Sequence, residues 1–343
     1  MAEVTNPMGL GQDGFLRWKP ETVYGTPVTS SMIDLPIKEG TNFDQYQAFI
    51  ENATGMNDRT RQDPDLGRKM RPFSLIMNAY VTRIGDLLTQ FGGDATSAAD
   101  GAADGSYDHY WLALVTGERV GKSFTSQFAR GDNTCDQCAG NVINEHILTT
   151  DTDSNLEFTF NGAGKVATGD VARGSTFSYP SLSPFNFSHV SIVVTKADTD
   201  TVLTCMNNFT LTLSYNQDME RYKMCSTASA EPRQPVFNGI PTATLAINAD
   251  ADQYFLTEAR LGNAFDITLT VTHTELAGSA SAYSLVYELP KCRLDPTITL
   301  PYGNDRQNMD LTFISDYGDT TTNSGAVVVP WEIRLTDAIA THA

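Results

Sequence analysis

Phe73–Gly93 (FSLIMNAYVTRIGDLLTQFGG) and Ala243–Asn263 (ATLAINADADQYFLTEARLGN) decide the reading of this chain. Each begins as a short strand, turns at Asn-Ala, continues as one amphipathic helix and stops at glycine. A superposition without gaps sets Leu75 on Leu245, Asn78 on Asn248, Ala79 on Ala249 and Gly92 on Gly262. In the first stretch Ile84, Leu87, Leu88 and Phe91 follow the i, i+3, i+4, i+7 spacing of one buried helix face. The second keeps Tyr254 and Leu261 there, with Thr257 and Glu258 between them, so its stripe is thinner. Similar strand-like runs follow both helices. The reading is one β-rich fold written twice.

Outward from these stretches, most of the sequence alternates with the period of half-buried strands. Leu156, Phe158 and Phe160 alternate with Glu157 and Thr159. Phe209, Leu211 and Leu213 alternate with Thr210 and Thr212, and Ile267, Leu269 and Val271 with Asp266, Thr268 and Thr270. Met309, Leu311 and Phe313 alternate with Asp310 and Thr312. Further strands are expected at Tyr110–Val115, Ser123–Ala129, Asn141–Leu148, His189–Thr195, Tyr283–Leu289 and Val327–Arg334. The polar faces hold Thr, Asn and scattered acids with almost no basic residues, a pattern that antiparallel sheets with one wet side produce.

The expected organisation is an N-terminal arm over 1–30, anchored by Trp18 and Tyr24, then one unit over 31–175 and a second over 176–320. A C-terminal strand and polar tail occupy 321–343. The Gly- and Ala-rich segment 162–175 is the expected boundary between units, and 94–107 reads as a flexible acidic loop. Two long polar loops, 42–70 and 216–239, precede the two strand–helix stretches. The first carries Arg59, Arg61 and Arg68 among Asp58, Asp63 and Asp65; the second carries Glu220, Arg221 and Arg233. Loops of this length are usually functional or disordered, and mixed charge favours a polar contact with a partner subunit.

At 343 residues the chain is long enough for two domains. Its formal net charge of −18 divides equally, −9 in residues 1–173 and −9 in 174–343, so it is not an acidic tail. Such a chain has no general basic face for holding phosphates and should not grip nucleic acid. Apolar runs are strand length, which argues against a membrane span. Five cysteines and no visible secretory signal point to synthesis in a reducing cytoplasm.

Motifs for chemistry are weak. Thr116–Ser123 (TGERVGKS) lacks the first glycine of a phosphate-binding loop and runs into a strand pattern, so it reads as a hairpin turn. Cys135 and Cys138 form one CxxC without a second pair, which reads as a loop with two free thiols. The five histidines form no HExxH, and no pair of carboxylates stands out as acid and base. Neither an enzyme nor a cofactor or metal site is expected.

Several segments together resemble the tail tube, or major tail, proteins of long-tailed bacteriophages. They are ETVYGTPV (Glu21–Val28), RIGDLLTQFGG, HYWLALVTGERVGKSFTSQF, YELPKCRL and MDLTFISDYGD, and the similarity spans most of residues 14–320. The resemblance implies a mainly β fold of two tandem β-sandwich units, each flanked by a short helix, whose strands join a barrel shared between subunits. It implies stacked rings forming a hollow conduit for DNA ejection, built as trimeric pseudo-hexamers or else as hexamers. It further implies contact with the tape measure, tail terminator and distal tail proteins, with loops and arms locking each ring to the next.

On this reading Glu157, Thr159, Thr210, Thr212, Asp266, Thr268, Thr270, Asp310 and Thr312 face the lumen. Trp18, Tyr24, Arg59, Arg61, Asp63, Arg68, Glu220, Arg221 and Arg233 make contacts between rings or subunits. The alternatives are another virion β-protein, such as a capsid decoration or adhesion module, and a cytosolic hydrolase.

Overall fold

The computed structural model describes residues 14–44, 46–50, 65–99, 105–113, 122–130, 134–167, 171–172, 178–179, 183–196, 200–203, 205–222, 231–250, 252–298, 308–316 and 329–342. The fold is mainly β, with a large antiparallel sheet and two α-helices among the described residues. In the first half the strands are β1 (Gly14–Pro20), β2 (Ile33–Leu35), β3 (Asn42–Phe43), β4 (Tyr46–Ile50), β5 (Asp65–Met70) and β6 (Pro72–Asn78). After helix α1 (Ile84–Gly92) come β7 (Thr96–Ala99), β8 (Tyr107–Leu112), β9 (Phe124–Arg130), β10 (Thr134–Asp151), β11 (Glu157–Ala163), β12 (Val166–Ala167) and β13 (Val171–Ala172). The second half has β14 (Val190–Lys196), β15 (Asp200–Leu203), β16 (Asn208–Ser214), β17 (Gln217–Asp218), β18 (Val236–Phe237) and β19 (Thr242–Asp250). Helix α2 (Gln253–Leu261) then leads to β20 (Ala264–Leu276), β21 (Ala282–Leu294), β22 (Asn308–Ser315) and β23 (Glu332–Asp337).

The two halves pair their strands in the same order. The first runs β2-β1-β9-β10-β11-β6-β3. The second runs β15-β14-β20-β21-β22-β19-β16. Every one of these ladders is antiparallel, and a small separate hairpin (β4–β5 or β17–β18) interrupts each half at the same point in chain order. The halves join where β16 pairs with the C-terminal part of β10, from Glu145↔Ser214 to Asp151↔Asn208. They join again through β21–β23 and β23–β8.

Helix α1 forms as its spacing dictates: Ile84, Leu87, Leu88 and Phe91 are all fully buried. Its end is fixed by Gly93 at φ 90, whose N–H bonds back to Thr89. Gly92 is required for packing, because a Cβ there would lie 2.7 Å from the Trp111 ring. Helix α2 is capped by Asp252, which accepts from the Tyr254 N–H, and ends at Gly262 in the left-handed region at φ 66. Its buried face differs from the expectation. Phe255, Glu258 and Ala259 point inward, while Tyr254 is half-buried and Leu261 is exposed. The strand before α2 runs on to Asp250, whereas β6 stops at Asn78, so the helix is rotated by about one residue relative to a gap-free superposition. With that shift Phe255, Glu258 and Ala259 occupy the places of Ile84, Leu87 and Leu88.

The remaining differences come from long strands absorbing segments read as loops. β10 extends over 18 residues and carries Cys135 and Cys138, so the two thiols are buried in a strand. Burial pushes the Cys138 thiol up to about 12. The acidic segment 94–107 contains β7, and the expected boundary 162–175 contains β12 and β13, both paired with β10. The turn expected at Thr116–Ser123 lies mostly outside the described residues.

Candidate functional site: a continuous polar sheet face

The β10–β16 junction makes one uninterrupted sheet, β6-β11-β10-β16-β19-β22, from strands of both halves. Side chains alternate across it. Leu75, Met77, Phe158, Phe160, His146, Leu148, Leu211, Leu213, Leu245, Ile247, Leu311 and Phe313 point into the core. The opposite face carries Glu157 and Thr159 on β11, Thr149 on β10, Thr210 and Thr212 on β16, and Asp310 and Thr312 on β22, with Ile76, Ile147 and Ile314 among them. Register aligns them in rows. Asn78, Glu157, Thr149, Thr210, Ala246 and Thr312 lie side by side, and Asp151, Asn208, Asn248 and Asp310 form the next row. The strand residues on this face include Glu145, Asp151, Glu157, Asp250 and Asp310, and no Lys or Arg.

The face is knit by polar contacts. Asn248 Nδ2 donates to Asp310 Oδ1 at 2.7 Å, and Asn161 Nδ2 donates to Glu145 Oε2 at 2.6 Å. Across the junction the hydroxyls of Thr149 and Thr210 lie 3.2 Å apart. Lys38, on the turn before β3, forms an ion pair with Glu157.

The structure thus gathers Glu157, Thr159, Thr210, Thr212, Asp310 and Thr312 on one face. Asp266, Thr268 and Thr270 lie beyond those six strands: they belong to β20, between β14 and β21, which reaches β22 only through the short β21–β22 ladder. Their alternation was legible, but alternation alone does not say which sheet a strand joins.

Among the expected contact residues, Trp18 is corrected. It is fully buried in the core and packs edge-on against Phe124 at 5.7 Å, because residues 14–20 form β1 inside the sheet instead of a docking arm. Tyr24 is half-buried, donates to the Arg233 carbonyl at 3.4 Å and lies under Lys165 Nζ. Arg68 is paired with Glu220 at 2.8 Å and stacks over Tyr222, whose hydroxyl donates to the Lys69 carbonyl. Arg221 donates to the Gln234 carbonyl at 3.1 Å and accepts at its own carbonyl from the Arg233 N–H. The two loops therefore touch each other within the chain. Arg59, Arg61 and Asp63 lie outside the described residues.

Sequence reasoning missed one cluster. His342 near the C-terminus is buried against Asp337 (2.9 Å) and Asp86 (3.0 Å), and His109 lies beside it. Residues 5 to 256 positions apart in sequence leave no motif. His109, Asp337 and His342 are close enough to suggest metal ligation. The geometry favours a hydrogen-bonded ion cluster, since His109 Nε2 lies 2.7 Å from the Ile339 carbonyl and therefore bears the proton, and its Nδ1 faces Ser97 Oγ at 2.8 Å. Burial alone would lower the His342 pKa, but hydrogen bonds to Asp337 and Asp86 outweigh it and hold it at about 9.

None of the described α-helices is long and apolar enough to cross a membrane. A search of the curated proteins finds no match. The family model for phage tail tube proteins matches residues 11–331, nearly the whole chain. By that match, and with the mainly β architecture it accompanies, the chain belongs to the phage tail tube protein family.

Proposed function

We propose that this structural protein of the tail tube family polymerises into stacked rings of three chains, and that the polar face of the β6-β11-β10-β16-β19-β22 sheet lines the bore. The observation that carries this reading is the junction of β10 with β16. It turns two halves with one pairing order into a single wall whose acids and threonines share one face. Two similar wall segments per chain favour a trimer with sixfold pseudo-symmetry. A bore whose strands carry Thr, Asn, Asp and Glu and no Lys or Arg repels phosphates and offers few cations whose binding would release counterions, so DNA slides through it without adhering.

The tape measure protein would fill this bore before ejection, and terminator and distal tail proteins would cap the ends. Synthesis would take place in the host cytoplasm. Negative-stain microscopy of the purified protein tests the reading. Annuli or hollow filaments are expected; a protein that stays monomeric as concentration and salt are raised overturns it.

A further inference from the structure

The fold contains its own template for the contact between copies. In the first half the C-terminal part of β10 is covered on its free edge by β16. Because β21 and β3 are the counterparts of β10 and β16 in the repeated pairing order, β21 should be covered by a β3. Within the chain it is not: β3 pairs only with β6 among the described residues. The ladder between β20 and β21 stops at Ala264↔Arg293, and among the described residues no strand pairs with the edge beyond it.

We infer that residues 42–43 of one copy pair antiparallel with residues 294–295 of the next, in the register that β16 takes on β10. The inference rests on the ring reading above and commits to a second copy of this chain as the occupant. The register follows from the ladders. Phe43 lies opposite Phe73 as Leu213 lies opposite Ala243, and the two stretches match Phe73 to Ala243. His146 lies opposite Phe160 as Leu294 lies opposite Phe313, the corresponding residues of β11 and β22. Within the chain His146 is opposite Leu213 and Ile147 is opposite Thr212. Between copies Leu294 is therefore opposite Phe43, and Asp295 opposite Asn42.

Three independent features agree with this seam. His146 and Leu213 are 0% exposed, whereas Leu294 and Phe43 retain 4% and 8%, as core residues at an uncovered border would. Asn42 donates from Nδ2 to Asp44, yet its buried Oδ1 has no hydrogen-bond partner among the described residues. The grooves also correspond. At the internal junction a groove is walled by Thr149–Asp151, by Ser154–Glu157 and by Asn208–Thr210. Its counterpart is walled by Asp295, Thr297 and Ile298 and by Asn308–Asp310 with Thr312, and has no third wall among the described residues. The neighbouring copy's β3 segment supplies it.

Cysteine cross-linking tests the seam. Asn42 and Asp295 inherit the non-hydrogen-bonded pairing of Thr212 and Ile147, for which Cα atoms lie about 4.5 Å apart, within disulfide reach. In assembled protein carrying Asn42→Cys and Asp295→Cys, oxidation should give a ladder on non-reducing gels that ends at three chains, while each single variant stays uncross-linked at this seam. Co-assembly of the two single variants should give a two-chain product only, which keeps the test open if the double variant assembles poorly. Ile147→Cys with Thr212→Cys should close a disulfide within one chain and serves as the positive control. Tubes that form, with the control closing and no product between copies, overturn the seam and leave the ring reading intact. Wild-type protein that never assembles overturns both.

Discussion

His342 Nε2 lies 2.9 Å from Asp337 Oδ2, and this contact pins the C-terminal segment onto the start of helix α1 through Asp86. Folding raises the His342 pKa from 6.5 to about 9, so the folded state binds the proton more tightly. The resulting stability is fully present below pH 6.5 and is lost as pH rises through about 9. Thermal melts of wild type and His342→Gln should differ most at pH 6 and converge by pH 10. A gap that is constant with pH would show that the imidazolium charge is not what holds the segment.

Glu258 stands in α2 where Leu87 stands in α1, and its carboxylate is held by Lys196 at 2.8 Å and by Asn263. Those hydrogen bonds keep its pKa below the usual carboxylate value. Their contribution is present above that value and lost as pH falls through the depressed pKa. Lys196→Ala should cost about 1–2 kcal/mol in urea unfolding, since it leaves a largely buried carboxylate short of a partner. Glu258→Leu should fall within about 1 kcal/mol of wild type, because an apolar side chain there reproduces the stripe of α1.

Between the sheet layers His146 Nε2 lies 2.8 Å from the Tyr287 hydroxyl, both groups fully buried. Burial holds the imidazole neutral and lowers its pKa to about 3. The unfolded chain takes up that proton below pH 6.5, so His146 erodes stability progressively as pH falls from 6.5 toward 3. Tyr287→Phe should cost about 1–2 kcal/mol by leaving the ring nitrogen unpaired. Chemical denaturation at pH 7 checks the cost; an unchanged midpoint would mean that the hydrogen bond contributes nothing.

Charge reversal separates the two groups of acids. Glu157→Lys and Asp310→Lys place cations on the shared sheet face and should leave tubes assembled while slowing or blocking genome delivery. Asp266→Lys, on β20, should leave delivery near wild type. Counting assembled tails by microscopy against DNA released per particle gives the comparison. Equal delivery by all three would remove the sheet face from the bore.

Much of this fold was legible because strand alternation is a local signal. The inward residues of β11, β16, β20 and β22 are those that the period-two pattern names, and α1 buries the four residues its spacing names. What failed was non-local. Nothing in GFLRWKP says that it completes a sheet with β9, more than a hundred residues away, so Trp18 read as an anchor on an arm. Asp266 and Asp310 have the same alternating surroundings, and only strand pairing shows that β21 separates their strands. The one-residue rotation of α2 arises from where β19 ends, which neither helix encodes. The His109–Asp337–His342 cluster is assembled by tertiary contact and has no sequence spacing to detect.

The ladder from Glu145↔Ser214 to Asp151↔Asn208 has a further effect on the newly made chain. Two separate copies of a half would each carry bare hydrogen-bonding borders at both sides, the kind of surface that recruits stray strands and seeds aggregation. Joining them in one polypeptide hides two of those four borders as the chain folds, with no encounter between molecules required. Fusion thus halves the adhesive perimeter that a free subunit presents while it waits for its neighbours.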